Sequence, residues 1–147
     1  MAWRKATEDD LKRSISETEV EAYREAANDS GDDRIGELLT RTTRLVRGYL
    51  RANRRIKLPQ DELLLPDTLI APAMDYAAFD VVAVVPVDNM EDRRSRRRDA
   101  IRVFEQVAGD QFYVESAEPA DESASGAGCT VVRQSRRRVT PESLEGL

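Results

Sequence analysis

The most regular pattern of apolar and polar positions lies in the first half of the chain. Apolar side chains recur there at steps of three and four residues, at Ile35, Leu38, Leu39, Leu45, Val46, Tyr49 and Leu50. Thr42 fills the remaining position of that face. This period is typical of a helix that buries one side. It predicts a helix from Ile35 to Asn53, capped by Asp32 or Asp33.

Gly48 lies in the middle of this predicted helix. A glycine in a helix interior costs about 1 kcal/mol relative to alanine, because its backbone loses more freedom on folding. Two explanations are open: a neighbouring helix approaches the backbone closely at Gly48, or the fold tolerates the cost. The sequence does not choose between them.

Two shorter helices are predicted before the long one. Thr7 is followed by acidic residues, and Asp10 stands three positions later, which is the arrangement of a capping box. We therefore expect a first helix that runs to about Ser14. Ser16 is expected to cap a second helix over Glu17–Asn28, before a run of Asn, Asp, Ser and Gly breaks the pattern.

The longest apolar stretch, Leu69–Val87, carries Asp75 and Asp80 in its interior. Two carboxylates in mid-span argue against a membrane-spanning helix. A core helix with one polar stripe fits better, and we predict it over Asp67–Val85, ending before Pro86. The apolar run just before it, Leu63–Leu65, is expected to lie over the core.

A basic helix is predicted next, over Glu91–Ala108, capped by Asp88 or Asn89 and stopped by Gly109. One side carries Ile101, Phe104, Val107 and Ala108, and the other carries Arg94, Arg97, Arg98 and Arg102. The arginine side is either a solvated surface or a contact surface for phosphates or an acidic protein. The pattern leaves both interpretations open.

The pattern changes after Gly109. Gln111–Val114 and Cys129–Val132 have the composition of short β-strands, and the acidic, small-residue segment between them is typical of a flexible loop. The last residues form an arm that needs another surface to bury its apolar side chains, at Val139, Pro141, Leu144 and Leu147. The predicted fold is mainly α: a small helical bundle with a short β-like hairpin and an extended C-terminal arm. Residues 1–109 form the helical domain, and residues 110–147 carry the β-like segment, the loop and the arm.

Composition favours assembly over a self-sufficient monomer. Charged residues make up 35% of the chain and aromatic residues only 5%, so the core is expected to be small and aliphatic. Burial of further surface between copies would stabilise such a chain. The formal net charge of −5 argues against a dedicated nucleic-acid binder.

The side chains of common catalytic sites are missing. The chain has no histidine and one cysteine, Cys129, which excludes Ser–His and Cys–His nucleophiles and an internal disulfide. Asp75 and Asp80 are five residues apart, about 500° of helical rotation, so they do not share a face well. A polar stripe, or arginine partners from another helix, is the preferred explanation for these carboxylates. We therefore predict a protein without enzyme activity, cofactor or metal.

Four segments carry a resemblance to a known family. They are the acidic segment near the N-terminus, the end of the long helix, most of the basic helix with its glycine, and the C-terminal segment. In this order they comprise Thr7–Leu11, Leu45–Leu50, Arg98–Gly109 and Arg138–Leu147. In their order and spacing the chain resembles the small head–tail connector proteins of tailed phages, also called adaptor or head-completion proteins. The likeness is to the uncharacterised-domain family of Mu-like prophages. The departures are the arginine density at Arg93–Arg98 and the segment Ala83–Met90.

The resemblance implies a structural subunit of the virion, assembled in the bacterial host cytoplasm. Such connectors form a ring, dodecameric in related proteins, beneath the portal protein at the capsid vertex. They extend the DNA channel and present a docking surface for a tail or stopper protein. The C-terminal arm is then expected to bind the portal, and the arginine helix to contact packaged DNA or an acidic neighbour. No membrane contact and no catalytic residues are implied.

Two other functions are weighed against this one. A small DNA-binding regulator would use the same helix, Arg93–Arg102, and its affinity would fall steeply with salt. The negative net charge and the missing recognition motif count against it. A hydrolase that holds a metal with carboxylates alone would be stabilised by that metal.

Overall fold

The computed structural model describes residues 2–26, 33–85 and 88–117. Its elements, in chain order, are β1 Trp3–Lys5, α1 Glu8–Ser14, α2 Glu17–Glu25, α3 Arg34–Ala52, β2 Leu64–Pro66, α4 Asp67–Val82 and α5 Met90–Ala108. The predicted fold class, mainly α with one short antiparallel strand pair, is confirmed. The division at residue 109 and the second β-like run, Cys129–Val132, stay predictions, because residues 118–147 lie outside the described ranges.

Capping boxes fix the first two helices, which confirms the predicted box at Thr7 and the predicted cap at Ser16. The Thr7 hydroxyl accepts a hydrogen bond from the Asp10 amide, and the Asp10 carboxylate accepts one from the Thr7 amide at 3.0 Å. Ser16 and Glu19 repeat this exchange at the start of α2. Each box satisfies backbone donors that the first turn of a helix leaves without partners. Helix α2 ends at Glu25 with Ala26 as its C-cap, and the last two residues of its predicted span, Ala27 and Asn28, lie outside the described residues.

Helix α4 lies at the centre of the bundle because it is apolar on nearly all sides. Its buried side chains contact α1, α3 and α5, and the largest of them are Leu69, Ile70, Met74 and Val81. Phe104 of α5 is fully buried, with its ring 5.6 Å from that of Tyr49 and 6.3 Å from that of Tyr76. The three predicted core helices are therefore present, although α4 ends at Val82 rather than Val85. None of the helices in the described ranges has the length and apolar composition needed to cross a bilayer.

The strand pair forms at a different place from the predicted hairpin. Trp3 pairs with Pro66, and Lys5 with Leu64, so an N-terminal strand joins the segment that leads into α4. The prediction of a strand at Gln111–Val114 was wrong. Its last residue, Val114, is buried against the bundle instead, and the Trp3 indole donates to the Glu115 carbonyl at 3.1 Å. Burial of alternate side chains gives this segment a strand-like sequence although no strand pairs with it.

Arg47 anchors the loop that precedes β2. It points inward from α3, with only 3% of the residue exposed, and its guanidinium donates to three backbone carbonyls. The acceptors are Pro59 at 2.9 Å, Asp61 at 3.0 Å and Leu64 at 2.9 Å. Burial lowers the pKa of Arg47. The contact ties residues 59–64 to α3 and so places β2 beside β1.

The stop of α5 differs in detail from the predicted glycine stop. Gly109 is the C-cap, but its φ of −84° is ordinary, and the left-handed residue is Asp110, with φ of 61°. The Gln111 amide donates to the Gln106 carbonyl at 2.8 Å, and the Asp110 amide to Val107 at 3.2 Å, which is a Schellman motif. Aspartate tolerates this conformation better than most side chains. Here Asn53 and Arg55 also hold its carboxylate.

Candidate interaction surface on the basic helix

The arginines of α5 divide into an inner and an outer group. Arg93 and Arg97 continue the buried face of the helix, because they precede Ala100, Phe104 and Val107 at steps of four and three residues. The outer group consists of Arg94, Arg96, Arg98 and Arg102, all exposed. The structure thus separates Arg97 from the other three candidate contact residues. Extending the apolar period toward the N-terminus of the helix would have revealed this difference.

Arg93 joins α5 to α2. Its guanidinium contacts both carboxylate oxygens of Glu19, at 2.9 and 3.0 Å, and the two side chains are 11% and 15% exposed. Burial raises the pKa of Glu19, but hydrogen bonds from Ser16 and Arg93 outweigh this effect and leave the pKa lowered overall. Glu19 therefore caps α2 and fixes the start of α5 with one carboxylate. Sequence reasoning missed this role, since the two residues are 74 positions apart.

Arg97 is half-buried against α4. Its guanidinium lies 4.6 Å from the ring centre of Tyr76 and 4.7 Å from that of Phe79, and it donates to the Tyr76 hydroxyl at 3.1 Å. It also approaches the Asp80 carboxylate at 3.6 Å. Arg41 of α3 pairs with the other oxygen of Asp80 at 2.9 Å. Asp80 thus receives arginines from two other helices, which is one of the two explanations that the sequence left open.

The outer arginines pair with acids of their own helix. Arg94 and Arg98 both reach Glu91, at 3.7 and 3.3 Å, and Arg102 reaches Asp99 at 3.8 Å. Arg94, Arg98 and Arg102 are 56%, 69% and 76% exposed, so each pair contributes at most about 1 kcal/mol. Such pairs exchange readily for an external partner. The four outer arginines are matched by four exposed acids on α5, which makes this face nearly neutral as a whole.

The other predicted sites are distributed as follows. The arm residues Val139, Pro141, Leu144 and Leu147, and Cys129, lie outside the described residues. Asp75 lies beside Arg96 and Asp99 in a groove between α4 and α5, and Asp80 has the partners given above. The two carboxylates therefore do not form a joint site. In the ranges that the structure describes, no cluster of three or more potential metal ligands occurs.

Comparison with known proteins assigns the chain to a family. No curated protein and no solved structure matches the chain. The model of the family described as "Bacteriophage Mu, Gp36" matches residues 6–132 and so covers the five helices of the described ranges. The chain therefore belongs to the Bacteriophage Mu Gp36 family.

Proposed function

We propose that this chain is a structural head–tail connector subunit, which forms a ring beneath the portal protein of a tailed phage. Membership of a bacteriophage family over residues 6–132 is the observation that carries the proposal. The order of segments that resembles head-completion proteins gives the finer role. The subunit would extend the DNA channel and offer a docking surface to a tail or stopper protein. We propose no catalytic step and no cofactor.

The construction of the bundle supports a structural role. Arg47 ties the loop before β2 to α3, Glu19 and Arg93 tie α2 to α5, and Asn53 donates to the Val107 carbonyl at 2.8 Å at the end of α5. These contacts join helices that are distant in sequence into one unit. Because these contacts all lie within one subunit, each copy can keep the same shape in a ring of identical subunits.

Two surfaces are assigned within this role. The arm, with Val139, Pro141, Leu144 and Leu147, would dock on the portal, because a short segment with few apolar residues becomes ordered only by burial elsewhere. The outer arginines of α5 would face packaged DNA or an acidic neighbour. Their weak pairs with acids of the same helix support an exchange of partners on binding.

Capture of the tagged full chain from its native lysate, with quantification of what accompanies it, tests the proposal. Portal, capsid or tail proteins at comparable abundance are expected. A variant that lacks residues 139–147 should fold but lose the portal. Recovery of DNA or a transcription complex without particle proteins would reject the connector role. Normal attachment of the truncated variant would reject only the role of the arm.

The outer arginines need a variant that leaves the fold intact. Arg97 is unsuitable, because its guanidinium packs on two rings and Asp80 inside the bundle. Charge reversal at Arg98 and Arg102 is the better choice, with Arg13→Glu, at an 81% exposed side chain, as control. The double variant should reduce particle yield or DNA retention while the control does not. Unchanged yield and retention would identify the outer arginines as a solvated face.

A further inference from the structure

Helix α3 carries a higher net positive charge than α5, the helix on which the predicted contact residues lie. It has five arginines and one acidic residue, whereas α5 has six arginines and four acidic residues. Arg47 is turned inward, but three others share an exposed stripe with Gly48 at steps of three and four residues. We name this stripe the arginine ridge: Arg41, Arg44, Gly48 and Arg51.

The charges of the arginine ridge are only partly compensated within the subunit. Arg41 pairs with Asp80 at 2.9 Å and is 67% exposed, and Arg51 pairs with Glu62 at 3.4 Å and is 60% exposed. Arg44 has no ion pair with any residue in the described ranges. Among the described residues, the ridge therefore has one guanidinium without an ion pair, at Arg44, between two that are weakly held.

Gly48 adds a second, independent observation. A Cβ built at this position meets no atom within 4 Å, so nothing in the described part of the subunit requires a missing side chain there. The close helix approach considered from the sequence is not found within the described residues. Gly48 therefore still costs the helix about 1 kcal/mol relative to alanine. It also leaves an exposed notch between Arg44 and Arg51. Such a notch allows another chain to approach the backbone of α3.

Helix α2 carries the complementary pattern. Glu17, Glu21 and Glu25 are all exposed and follow one another at steps of four residues, which places them on one side; we name them the acidic stripe. Like charges at this spacing destabilise a helix by about 0.2–0.5 kcal/mol per pair. Glu17 reaches Lys12 at 3.3 Å, but no ion pair in the described ranges joins the acidic stripe to the arginine ridge. Within the described ranges, the arginine ridge and the acidic stripe therefore do not compensate each other.

We propose that the arginine ridge of one copy receives the acidic stripe of the next copy. This inference rests on the proposed function, in which copies of the chain form a ring, and it specifies which surfaces of neighbouring copies meet. The stripe extends over eight residue steps of helix and the ridge over ten, or about 12 and 15 Å, so the charged groups can face one another along their lengths. Because the two surfaces differ, the contact is head-to-tail, and a head-to-tail contact that closes forms a ring.

A second copy fits the ridge better than nucleic acid does. The chain has a net charge of −5, and each copy that approached DNA would bring this charge with it. Asp80 and Glu62 also flank the ridge and would face the phosphates. A neighbouring copy instead supplies three carboxylates in a row. Contact with DNA through the ridge is the competing outcome that the experiment must detect.

The test exchanges charges on the full-length chain. One variant carries Arg44→Glu and Arg51→Glu, a second carries Glu21→Arg and Glu25→Arg, and a control carries Arg13→Glu with Lys57→Glu, both at exposed residues that belong to neither the ridge nor the stripe. Sedimentation velocity at low ionic strength measures self-association. The wild type and the control should associate, and added salt should weaken this association.

Each charge-reversed variant alone should associate about tenfold or more weakly, and an equimolar mixture of the two should regain association. The mixture is decisive, because a variant that failed to fold would rescue nothing. The inference is overturned if the wild type stays monomeric at low salt, if both variants associate normally, or if the mixture shows no recovery. It is also overturned if the ridge variant loses binding to duplex DNA while self-association is unchanged.

Particle capture separates this inference from the proposed function. If the wild type accompanies the portal and the charge-reversed variants do so equally well, only the ridge assignment fails. If the wild type itself is missing from particles, the connector role fails whatever the sedimentation data show.

Discussion

Replacement of Arg47 tests the packing argument most strongly. The guanidinium is buried and donates to the carbonyls of Pro59, Asp61 and Leu64 without a carboxylate partner. Arg47→Ala removes all three hydrogen bonds and leaves a cavity beneath the loop. A hydrogen bond from a charged donor contributes about 1.5–3 kcal/mol. The loss is reduced because the alanine variant no longer buries a charge and because water can reach part of the loop.

These terms together give a free energy of unfolding lowered by about 3 kcal/mol. With a urea dependence of about 2 kcal/mol per molar, the midpoint should fall by about 1.5 M. Arg47→Lys should lower the free energy of unfolding by about half as much, because one ammonium group cannot reach three divergent carbonyls as a planar guanidinium does. Equilibrium urea unfolding followed by circular dichroism measures all three proteins.

Arg44→Ala is the matched control, one turn earlier on the exposed side of α3. It should change the free energy of unfolding by less than about 0.5 kcal/mol, provided that the salt concentration keeps the chain monomeric. A loss below about 1 kcal/mol in Arg47→Ala would refute the reasoning, because the buried guanidinium would then contribute no more than a surface group.

Three further changes have defined outcomes. Phe104→Ala removes a fully buried ring and should lower the free energy of unfolding by about 4 kcal/mol in urea titration; a loss under about 1 kcal/mol would contradict the central place of that ring. Gly48→Ala should raise it by about 0.4–1 kcal/mol in the monomer, because the site is open, and a decrease would show an unseen contact. The hydrogen bond from Arg4, at 2.7 Å, holds the pKa of Asp10 well below its usual range. Its stabilisation should be complete above about pH 4 and fall as acid protonates the folded form; Asp10→Asn should flatten this acid dependence, and an unchanged pH profile would contradict it.

Local patterns predicted the helices because their determinants are close in sequence. The capping boxes at Thr7 and Ser16 lie within four residues each, and the apolar period of α3 repeats along one element. Helix boundaries moved by a few residues where propensity is flat, as at Val82. The core position of α4 followed from its apolar composition.

Contacts between distant residues could not be predicted in the same way. The pairing of Trp3–Lys5 with Leu64–Pro66, and of Arg93 with Glu19, depends on how the helices pack, which no local period contains. Asp110 replaced the expected glycine as the left-handed residue because Asn53 and Arg55 hold its carboxylate from the end of α3. The inward position of Arg97 follows the apolar period of α5, but that of Arg47 depends on the carbonyls of a loop 12–17 residues further along the chain.

The location of the chain in an assembled particle tests the central claim most directly. Electron cryo-microscopy of purified particles, reconstructed without imposed capsid symmetry at the portal vertex, measures it. We expect a ring of subunits with the bundle of α1 to α5 directly beneath the portal. Complete particles whose portal vertex lacks this bundle, with the chain absent from their protein content, would contradict it.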